Sequence, residues 1–243
     1  MKMSFYQGTT GLLANQEALN KIGQNIANVN TFGYKPENIS FRNLLYSNMY
    51  VNTPNKPMNG SGVKAVSVGI NAKQSGLKST DFKADFAIAG DAWFATSHNG
   101  EIRFTRDGMF NVGLYGDRGY LVTQNGDFVL NSQGQRIELA RNADGTQFDL
   151  STLKDEIGLF VFDNPSALQP VANNQYVSTV KSGQAIAANR DQNRILQGFL
   201  ENSGVSMADE MSDLILTQRA YQLCAKVIQS SDENEQIINN LRR

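Results

Sequence analysis

Hydrophobic positions recur with a helical period at both ends of the chain and with a strand-like period in between. Near the N-terminus they step alternately by four and three residues, an average of about 3.5 that is typical of a coiled-coil interface. We call Phe5, Leu12, Leu19 and Ile26 the N-terminal seam. This pattern predicts a helix from residue 3 to about residue 30.

Polar and flexible residues interrupt the N-terminal seam. Thr9, Gln16 and Gly23 occupy the alternate positions of the repeat, where they are poor core residues. Glycine inside a helix costs roughly 1 kcal/mol relative to alanine, and short isolated helices are marginal in water. We therefore expect this helix to need a partner. Gly33 and Pro36 then end the helical pattern, because glycine favours a left-handed backbone and proline disfavours helix at the residue before it.

The C-terminal part of the chain repeats the same spacing. A helix is predicted from about Met207 to Leu241, longer than the roughly 8–20 residues usual in globular proteins, which favours a coiled coil. Gln218 and Ala225 fall within its repeat. The remaining positions, which we call the C-terminal seam, are Met207, Met211, Leu214, Tyr221 and Ile228.

The middle of the chain has the pattern of β-structure. From Val63 onward the period changes to two, and turn sequences that contain glycine recur. Asn99-Gly100, Asp107-Gly108 and Asn125-Gly126 each favour a tight hairpin, and Asp144-Gly145 continues the series. Short strands with regular turns predict an all-β meander, sandwich or barrel. The predicted fold class is therefore mixed: an all-β central domain inserted between N- and C-terminal α-helices that pair as a coiled-coil-like layer.

These patterns divide the chain into four segments. Residues 1–46 hold the N-terminal helix and an extended piece, residues 63–185 the β-rich domain, and residues 186–243 a return segment and the C-terminal helix. Residues 47–62 are rich in Asn, Pro and Gly, and such a segment buries too little apolar surface to order itself. It is either a flexible hinge or a segment that contacts other subunits.

Three motifs, in this order, resemble the flagellar rod and hook (basal-body axial) protein family. The first is ANVNTFGYK at 27–35, the second comprises GDAWF at 90–94 and FTRDGMF at 104–110, and the third is QGFLENSGV at 197–205, followed by QRAY at 218–221. The motif positions that carry the resemblance at the two ends are Asn28, Asn30, Thr31, Gly33, Tyr34, Gln197, Gly198, Gln218, Arg219, Ala220 and Tyr221.

The resemblance covers nearly the whole chain and implies a structural subunit of the bacterial flagellar basal-body rod. Such a subunit would self-assemble into a helical tube that transmits torque from the motor to the hook. The implied partners are copies of itself, other rod and hook proteins, and the flagellar type III export apparatus, with periplasmic ring proteins as further candidates. The resemblance also implies export without a cleaved signal to the rod that spans the periplasm.

The subtype within the family stays open. The length of 243 residues is similar to that of a rod component at the distal end of the rod, and shorter than that of a hook protein. The tail at residues 226–236 is closer to proximal rod components. A proximal rod subunit or a hook–basal-body accessory subunit is therefore the alternative.

Composition narrows the function classes. The net charge of -1 offers no basic surface for nucleic acid or an anionic membrane. No stretch approaches the roughly 18 consecutive apolar residues that a membrane span needs. The first residues lead directly into the helical repeat without the apolar block of a secretory signal. Taken alone, composition indicates a cytoplasmic protein, whereas the resemblance implies export.

We expect no catalytic, cofactor or metal site. His98, the single histidine, lies in a turn sequence without carboxylates at a recognisable ligand spacing. Cys224, the single cysteine, falls on the apolar side of its helix and is interpreted as a small buried hydrophobe. Asp91 and Asp107 adjoin turn glycines, and turn chemistry explains both. An enzyme that uses acidic residues, such as a cell-wall hydrolase, is the alternative from a different class, and no paired acids support it.

Overall fold

A computed structural model describes residues 3–48, 58–116, 118–140, 148, 150 and 152–241. Residues 49–57 of the predicted 47–62 segment and the predicted Asp144-Gly145 turn lie outside the described residues. The chain forms two compact units. Unit 1 takes its described residues from Met1–Ala27, Glu37–Val68 and Ser206–Arg243, and unit 2 takes its described residues from Asn28–Pro36 and Gly69–Val205.

The described residues contain three α-helices and eighteen strands. The helices are α1 (Met3–Ala27), α2 (Leu153–Glu156) and α3 (Met207–Leu241), with a 3-10 turn at Pro165–Ala167. The strands are β1 (Glu37–Asn43), β2 (Tyr46–Asn48), β3 (Met58–Gly60), β4 (Val63–Ile70), β5 (Leu77–Ser79), β6 (Phe86–Ala89), β7 (Trp93–His98), β8 (Glu101–Thr105), β9 (Phe110–Tyr115), β10 (Arg118–Thr123), β11 (Phe128–Val129), β12 (Glu138–Leu139), β13 (Leu159–Val161), β14 (Gln169–Pro170), β15 (Tyr176–Val177), β16 (Ile186–Ala187), β17 (Arg194–Gln197) and β18 (Phe199–Glu201).

Unit 1 is built on the two long helices, which pack antiparallel. Gly8 of α1 faces Ile228 of α3, Gly11 faces Cys224, and Asn25 near the end of α1 is hydrogen-bonded to Glu210 near the start of α3. In the same unit β1 pairs with β4, and β2 pairs antiparallel with β3.

The ends of the helices follow from local chemistry. Helix α3 has the predicted limits, with two acidic residues in its first turn, where they complement the helix dipole. Helix α1 ends at Ala27, three residues before its predicted end. There the Thr31 amide donates to the Asn28 carbonyl at 3.1 Å, and the Thr31 hydroxyl donates to Asn28 Oδ1 at 3.1 Å. These turn contacts replace the next helical hydrogen bonds.

Unit 2 contains a sheet of ten strands within the described residues, with the order β12-β10-β11-β7-β8-β15-β14 and with β9, β13 and β16 attached beside it. The β7–β8 hairpin turns at Asn99-Gly100, where both residues have positive φ, 50° and 87°. This is the conformation of a type I′ turn, which Asn-Gly favours. Two further antiparallel pairs, β6 with β17 and β5 with β18, lie outside that sheet.

The core of unit 2 consists of two clusters of buried side chains. Aliphatic and aromatic residues of β6, β7, β9 and β10 dominate the first cluster, and aromatic residues around Trp93 dominate the second. The first includes Phe86, Ile88, Phe94, Phe110, Leu121, Val129, Ile157 and Leu159, and the second includes Ile70, Trp93, Phe104, Phe162, Leu168 and Tyr176.

The predicted mixed fold class, with helices at both ends and β-structure between them, is confirmed. Residues 37–68 belong to the same unit as the helices. Residues 186–205, which the sequence pattern assigns to a return segment, contribute β16, β17 and β18 to unit 2. Their strands are too short for a period-two pattern to develop, so antiparallel pairing with β13, β6 and β5 places them there.

Candidate functional site

Helix α1 presents small residues to α3. A Cβ placed on Gly8 would lie 3.0 Å from Ile228 Cγ1, and one placed on Gly11 would lie 3.0 Å from Cys224 Sγ. The other buried positions of α1 are Ala14, Ala18 and Asn25. The two helix backbones therefore approach closely where Gly8 and Gly11 face α3.

The N-terminal seam lies beside this contact face. Phe5 is 42% exposed, and Leu12, Leu19 and Ile26 are half-buried. Along the sequence, the seam residues are offset by one position from the buried residues of α1. The seam was predicted from its hydrophobic residues, whereas the positions that contact α3 are those with small side chains. The seam residues are thus partly accessible, and their role in assembly stays a prediction.

The residues of the C-terminal seam also differ in their exposure to solvent. Met207, Leu214, Tyr221 and Ile228 are half-buried, whereas Met211 is 52% exposed. Of the neighbouring motif positions, Gln218 and Arg219 are exposed and Ala220 is half-buried. The structure brings part of the C-terminal seam toward α1, and the role of the seam between subunits stays a prediction.

Polar contacts fasten α1, β1 and α3 together within unit 1. Asn25 Nδ2 donates to Glu210 Oε1 at 2.9 Å and to the Glu37 carbonyl at 3.2 Å. Lys21 Nζ lies 2.6 Å from Glu37 Oε2. Burial raises the pKa of the Glu210 carboxyl, and the hydrogen bond from Asn25 partly opposes this shift.

The helix pair leaves a large apolar surface exposed. Eleven large hydrophobic side chains on α1 and α3 are between 42 and 81% exposed. Extensive exposed apolar surface marks interaction sites in soluble proteins. The residues are Phe5, Tyr6 and Leu13 on α1, and Met211, Ile215, Leu216, Leu223, Val227, Ile237, Ile238 and Leu241 on α3.

The terminal motifs meet inside unit 2. The Gly33 amide donates to the Glu201 carbonyl at 2.8 Å, and the Gly204 amide donates to the Tyr34 carbonyl at 2.9 Å. The Ser203 hydroxyl donates to the Asn28 carbonyl at 2.8 Å. Residues far apart in sequence are thus joined by hydrogen bonds to main-chain carbonyls, and the first and third motifs form one structural element.

The second motif packs against the first motif at Gly33. This residue has φ +66°, which favours glycine. A Cβ placed on it would also lie 2.5 Å from the backbone carbon of Arg106. Glycine is therefore required here both by backbone conformation and by space.

A buried ion cluster lies where the three motifs meet. Glu201 Oε1 accepts from Lys35 Nζ at 2.6 Å and from the Ser75 amide at 2.8 Å, and Glu201 Oε2 accepts from Arg106 Nη1 at 3.2 Å. The side chains of Lys35, Arg106 and Glu201 are at most 1% exposed. Each of the three motifs supplies one charged residue, so the cluster is specific to their association.

Further contacts surround the two cations. Lys35 Nζ also donates to the Lys73 carbonyl at 2.6 Å, and Arg106 Nη2 donates to the Gly90 carbonyl at 2.9 Å. The Arg106 guanidinium stacks over the Trp93 ring at 5.2 Å, a favourable cation–π arrangement. Burial lowers the pKa of both Lys35 and Arg106, whereas the Glu201 carboxylate opposes the shift by favouring their charged forms.

The motif residues Gln197 and Gly198 also have structural roles. Gln197 Nε2 donates to the Lys83 carbonyl at 2.7 Å and to the Leu150 carbonyl at 3.0 Å. Gly198 has φ +74°, and its amide donates to the Asp85 carbonyl at 2.8 Å. Asn30, by contrast, is exposed.

Lys35, Arg106 and Glu201 lie within the three motifs, but their sequence positions alone do not mark them as a site. The available signal was a charged residue among apolar neighbours, as in Phe199-Leu200-Glu201. A charge within a buried strand needs a partner. The sequence alone does not say which distant residue supplies it.

The residues considered for chemistry have structural partners. His98 ends β7, and its Nδ1 lies 2.5 Å from Oδ1 of buried Asp127. Asp127 Oδ2 also accepts from Gln175 Nε2 at 2.6 Å. Cys224 is half-buried beside Gly11. Burial raises the pKa of Asp107 to about 6, and nearby Asp85 adds to this shift.

The described residues hold no group of three or more His, Cys, Asp or Glu side chains arranged to bind a metal ion. Among the helices described, none combines the length and the apolar character of a membrane-spanning segment.

A helix pair with an exposed apolar surface and a β-rich unit in which three motifs interlock define a protein that assembles with others. Three family models match the chain: a flagella basal body rod protein model at residues 5–35, a flagellar hook protein FlgE/F/G D1 domain model at 87–151, and a flagellar basal body rod FlgEFG protein C-terminal model at 196–241.

Full-length relatives agree with these models. The chain is 32% identical to the flagellar basal-body rod protein FlgG of Bacillus subtilis (strain 168) and 31% identical to that of Borreliella burgdorferi, with 100% of each chain covered in both cases. It is 28% identical to the flagellar basal-body rod protein FlgF of Rhizobium meliloti, over 96% of this chain and 94% of that protein.

The chain belongs to the flagellar basal-body rod protein family. It is a structural subunit, and its place is the flagellar basal body. The predicted resemblance and the predicted structural function are confirmed. Membership in this family implies assembly with other rod and hook proteins.

Proposed function

We propose that this chain is a subunit of the distal rod that polymerises through its helix pair into a helical tube transmitting torque from the motor to the hook. The exposed apolar surface of α1 and α3 carries this proposal. Eleven large apolar side chains remain at least 42% exposed after the two helices have packed on each other. A lone subunit leaves this surface in water, whereas neighbouring subunits would cover it.

The N- and C-terminal seams are the proposed contacts between subunits. Their members Phe5 and Met211 are 42 and 52% exposed. Contacts between different faces of identical subunits do not close into a ring unless the rotation allows it, and otherwise they generate a helical filament. The rod is such a filament in this proposal, and other rod and hook proteins extend it at its ends.

We propose two further partners, the flagellar type III export apparatus and periplasmic ring proteins. Export as an unfolded chain is supported by the composition of α1, which contains Gly8, Gly11 and Gly23. Each glycine lowers helix stability by roughly 1 kcal/mol relative to alanine. A helix of this composition depends on its partners, so the chain before assembly is easier to keep unfolded for transport.

Substitution of Leu216 tests the assembly surface. Leu216 is 63% exposed on α3, so Leu216→Glu should change the stability of the purified chain by no more than about 0.5 kcal/mol. In the rod, the added carboxylate would be buried against a neighbour without a partner charge. We expect loss of swimming motility and of the chain from isolated basal bodies.

The matched control is Gln222→Glu, an exposed position on the same helix without an apolar side chain. We expect this variant to keep at least half of the wild-type swimming rate. Normal motility of the Leu216→Glu strain, with normal incorporation of the variant, would show that the apolar surface of the helix pair is not an assembly surface.

A further inference from the structure

One face of the sheet in unit 2 carries a group of aromatic side chains. Tyr115 ends β9, Tyr120 lies in β10, and Phe128 begins β11. The ring centroids of Tyr115 and Phe128 are 4.9 Å apart, those of Tyr120 and Phe128 are 5.6 Å apart, and those of Tyr115 and Tyr120 are 6.2 Å apart. All three distances fall in the range of favourable aromatic contacts. We call these three rings the aromatic cluster.

The pairing of the strands puts these rings on the same face of the sheet. Tyr115 is the partner of Arg118 in the β9–β10 register, and Phe128 is the partner of Val122 in the β10–β11 register. Paired residues share a face of an antiparallel sheet, and so do alternate residues of one strand. Because Arg118, Tyr120 and Val122 alternate along β10, the aromatic cluster occupies one face, and the opposite face of these strands contributes to the core.

The side chain of Tyr115 is held in place and yet open to solvent. A Cβ placed on Gly113 would lie 3.3 Å from Tyr115 Cε2, and one placed on Gly126 would lie 4.0 Å from the Tyr115 hydroxyl. The side chain therefore lies against the backbone at two glycines, and it is still 51% exposed. A ring that is already fixed loses little conformational entropy when it binds a ligand.

An arginine adds positive charge beside the rings. The Arg136 guanidinium lies 4.2 Å from the centroid of the Phe128 ring, and Arg136 is exposed. Arg118, on the same face, forms an ion pair with Glu138 at 3.1 Å. Among the residues that the structure describes, no carboxylate pairs with Arg136. The charge of this face is therefore complementary to a ligand that carries a carboxylate.

Sugar rings suit the exposed aromatic surface. The face of an aromatic ring carries partial negative charge, so it attracts the C–H bonds of a sugar ring, whose hydrogens are weakly positive. The neighbouring Arg118 and Glu138 supply a hydrogen-bond donor and an acceptor for sugar hydroxyls. Nucleic acid has a charge on every nucleotide and needs a row of cations, whereas a single arginine without an anionic partner is described on this face.

We propose that the aromatic cluster binds glycan strands of the bacterial cell wall, with a sugar ring stacked on Tyr115 and a carboxylate of the strand paired with Arg136. Cell-wall glycan combines sugar rings with carboxylates, and it lies in the envelope that a flagellar basal body crosses. This binding activity goes beyond the proposed polymerisation, because it uses residues of unit 2 and none of the helix pair.

The first test measures binding to the purified full-length chain by calorimetry. The probe is a soluble tetrasaccharide of alternating N-acetylglucosamine and N-acetylmuramic acid. Tyr115→Ala should weaken binding by a factor of about ten or more, whereas Tyr115→Phe, which keeps the ring, should bind within about threefold of the unaltered chain. The matched control is Phe82→Ala, which removes a 56% exposed ring of unit 2 outside the aromatic cluster and should leave binding unchanged.

The second test separates the charge from the ring. Arg136→Gln should weaken binding of the same tetrasaccharide by a factor of about five or more, and it should not change the binding of a neutral N-acetylglucosamine tetramer. Added salt should weaken the binding of the charged probe to the unaltered chain and have little effect on Arg136→Gln. The control is Arg194→Gln, at an exposed arginine on β17.

The outcomes decide the proposal without affecting the proposed function. Urea unfolding followed at Trp93 shows whether each variant keeps the fold, and if Tyr115→Ala unfolds, the exposed Arg136→Gln variant decides. The proposal is wrong if the unaltered chain does not bind the tetrasaccharide, or if neither substitution weakens binding. It is also wrong if Tyr115→Ala abolishes motility while the purified variant binds glycan normally, because this face would then contact another protein. Incorporation of the chain into the rod is measured separately with Leu216→Glu.

Discussion

Removing the negative charge of the buried ion cluster should strongly destabilise unit 2. Glu201 forms ion pairs with both Lys35 and Arg106, and its side chain is 1% exposed. Glu201→Gln keeps the size of the side chain and an oxygen for the Ser75 amide, but it removes the charge and replaces the oxygen that accepts from Arg106 with an NH2 group that cannot accept. Two cations would then remain buried next to each other, with the exposed carboxylate of Asp91 as a nearby opposite charge.

The expected loss is about 3–5 kcal/mol, the range found when one partner of a buried ion pair is removed. Domains of this kind have a total unfolding free energy of about 5–15 kcal/mol. Every 1.4 kcal/mol corresponds to roughly a tenfold change in an equilibrium constant, so the unfolded population of unit 2 should rise by a factor of at least about 100.

Fluorescence of Trp93 reports this transition. It is the single tryptophan of the chain, it is fully buried, and its ring lies under the Arg106 guanidinium. Urea unfolding of the purified chain, followed at this residue, should therefore give a lower midpoint for Glu201→Gln.

The matched control is Glu138→Gln. Glu138 pairs with Arg118 at 3.1 Å, but both side chains are about half exposed or more, at 48 and 66%. Exposed pairs contribute about 0–1 kcal/mol. If Glu201→Gln shifts the unfolding free energy no more than Glu138→Gln does, the buried cluster does not stabilise unit 2 in the way we describe.

Two further predictions concern the helix contact and the buried Asp107. Gly11→Leu should lower the helix melting temperature measured by circular dichroism, because a Cβ at Gly11 would already lie 3.0 Å from Cys224 Sγ. Gly23→Ala, which has open space around it, should instead raise the stability by up to about 1 kcal/mol. Equal effects of the two substitutions would contradict the close approach of the helices. The pKa of Asp107 is raised to about 6, so its carboxyl stabilises the fold when protonated and this contribution is lost as the pH rises from about 4 to above 6. Asp107→Asn should therefore stabilise the chain by up to about 3 kcal/mol at pH 7 and by little at pH 3.5, as measured by urea unfolding. The control is Asp191→Asn at an exposed position. A stability difference that does not depend on pH would contradict this prediction.

The sequence predicts those parts of the fold that depend on local patterns. The limits of α3 follow from a sustained helical repeat and an acidic first turn, and the β7–β8 hairpin follows from Asn99-Gly100. Both features arise from residues close together in the chain. Their backbone preferences and their tertiary environment favour the same structure.

The face of α1 that meets α3 could not be read from hydrophobicity. The repeat of Phe5, Leu12, Leu19 and Ile26 identifies a helix correctly, but the contact with α3 forms at Gly8 and Gly11. Small residues permit close approach of two backbones, and a pattern of apolar residues does not reveal that preference. The larger side chains beside them are left partly exposed.

The ion cluster could not be predicted because its members are distant in sequence. Lys35, Arg106 and Glu201 come from three separate motifs, and the strand pairing that joins them includes β18, which has three residues. The three motifs mark the segments that meet in the fold. The reason why these segments carry charged residues emerges only when the chain is folded.

Locating this chain in purified hook–basal bodies tests the central claim most directly. Antibodies against unit 2, detected by immunogold electron microscopy, should label the rod between the inner and outer membranes, because the chain belongs to the basal-body rod family. Label on the hook beyond the outer surface, or basal bodies that lack the chain, would contradict the assignment of this chain as a subunit of the rod.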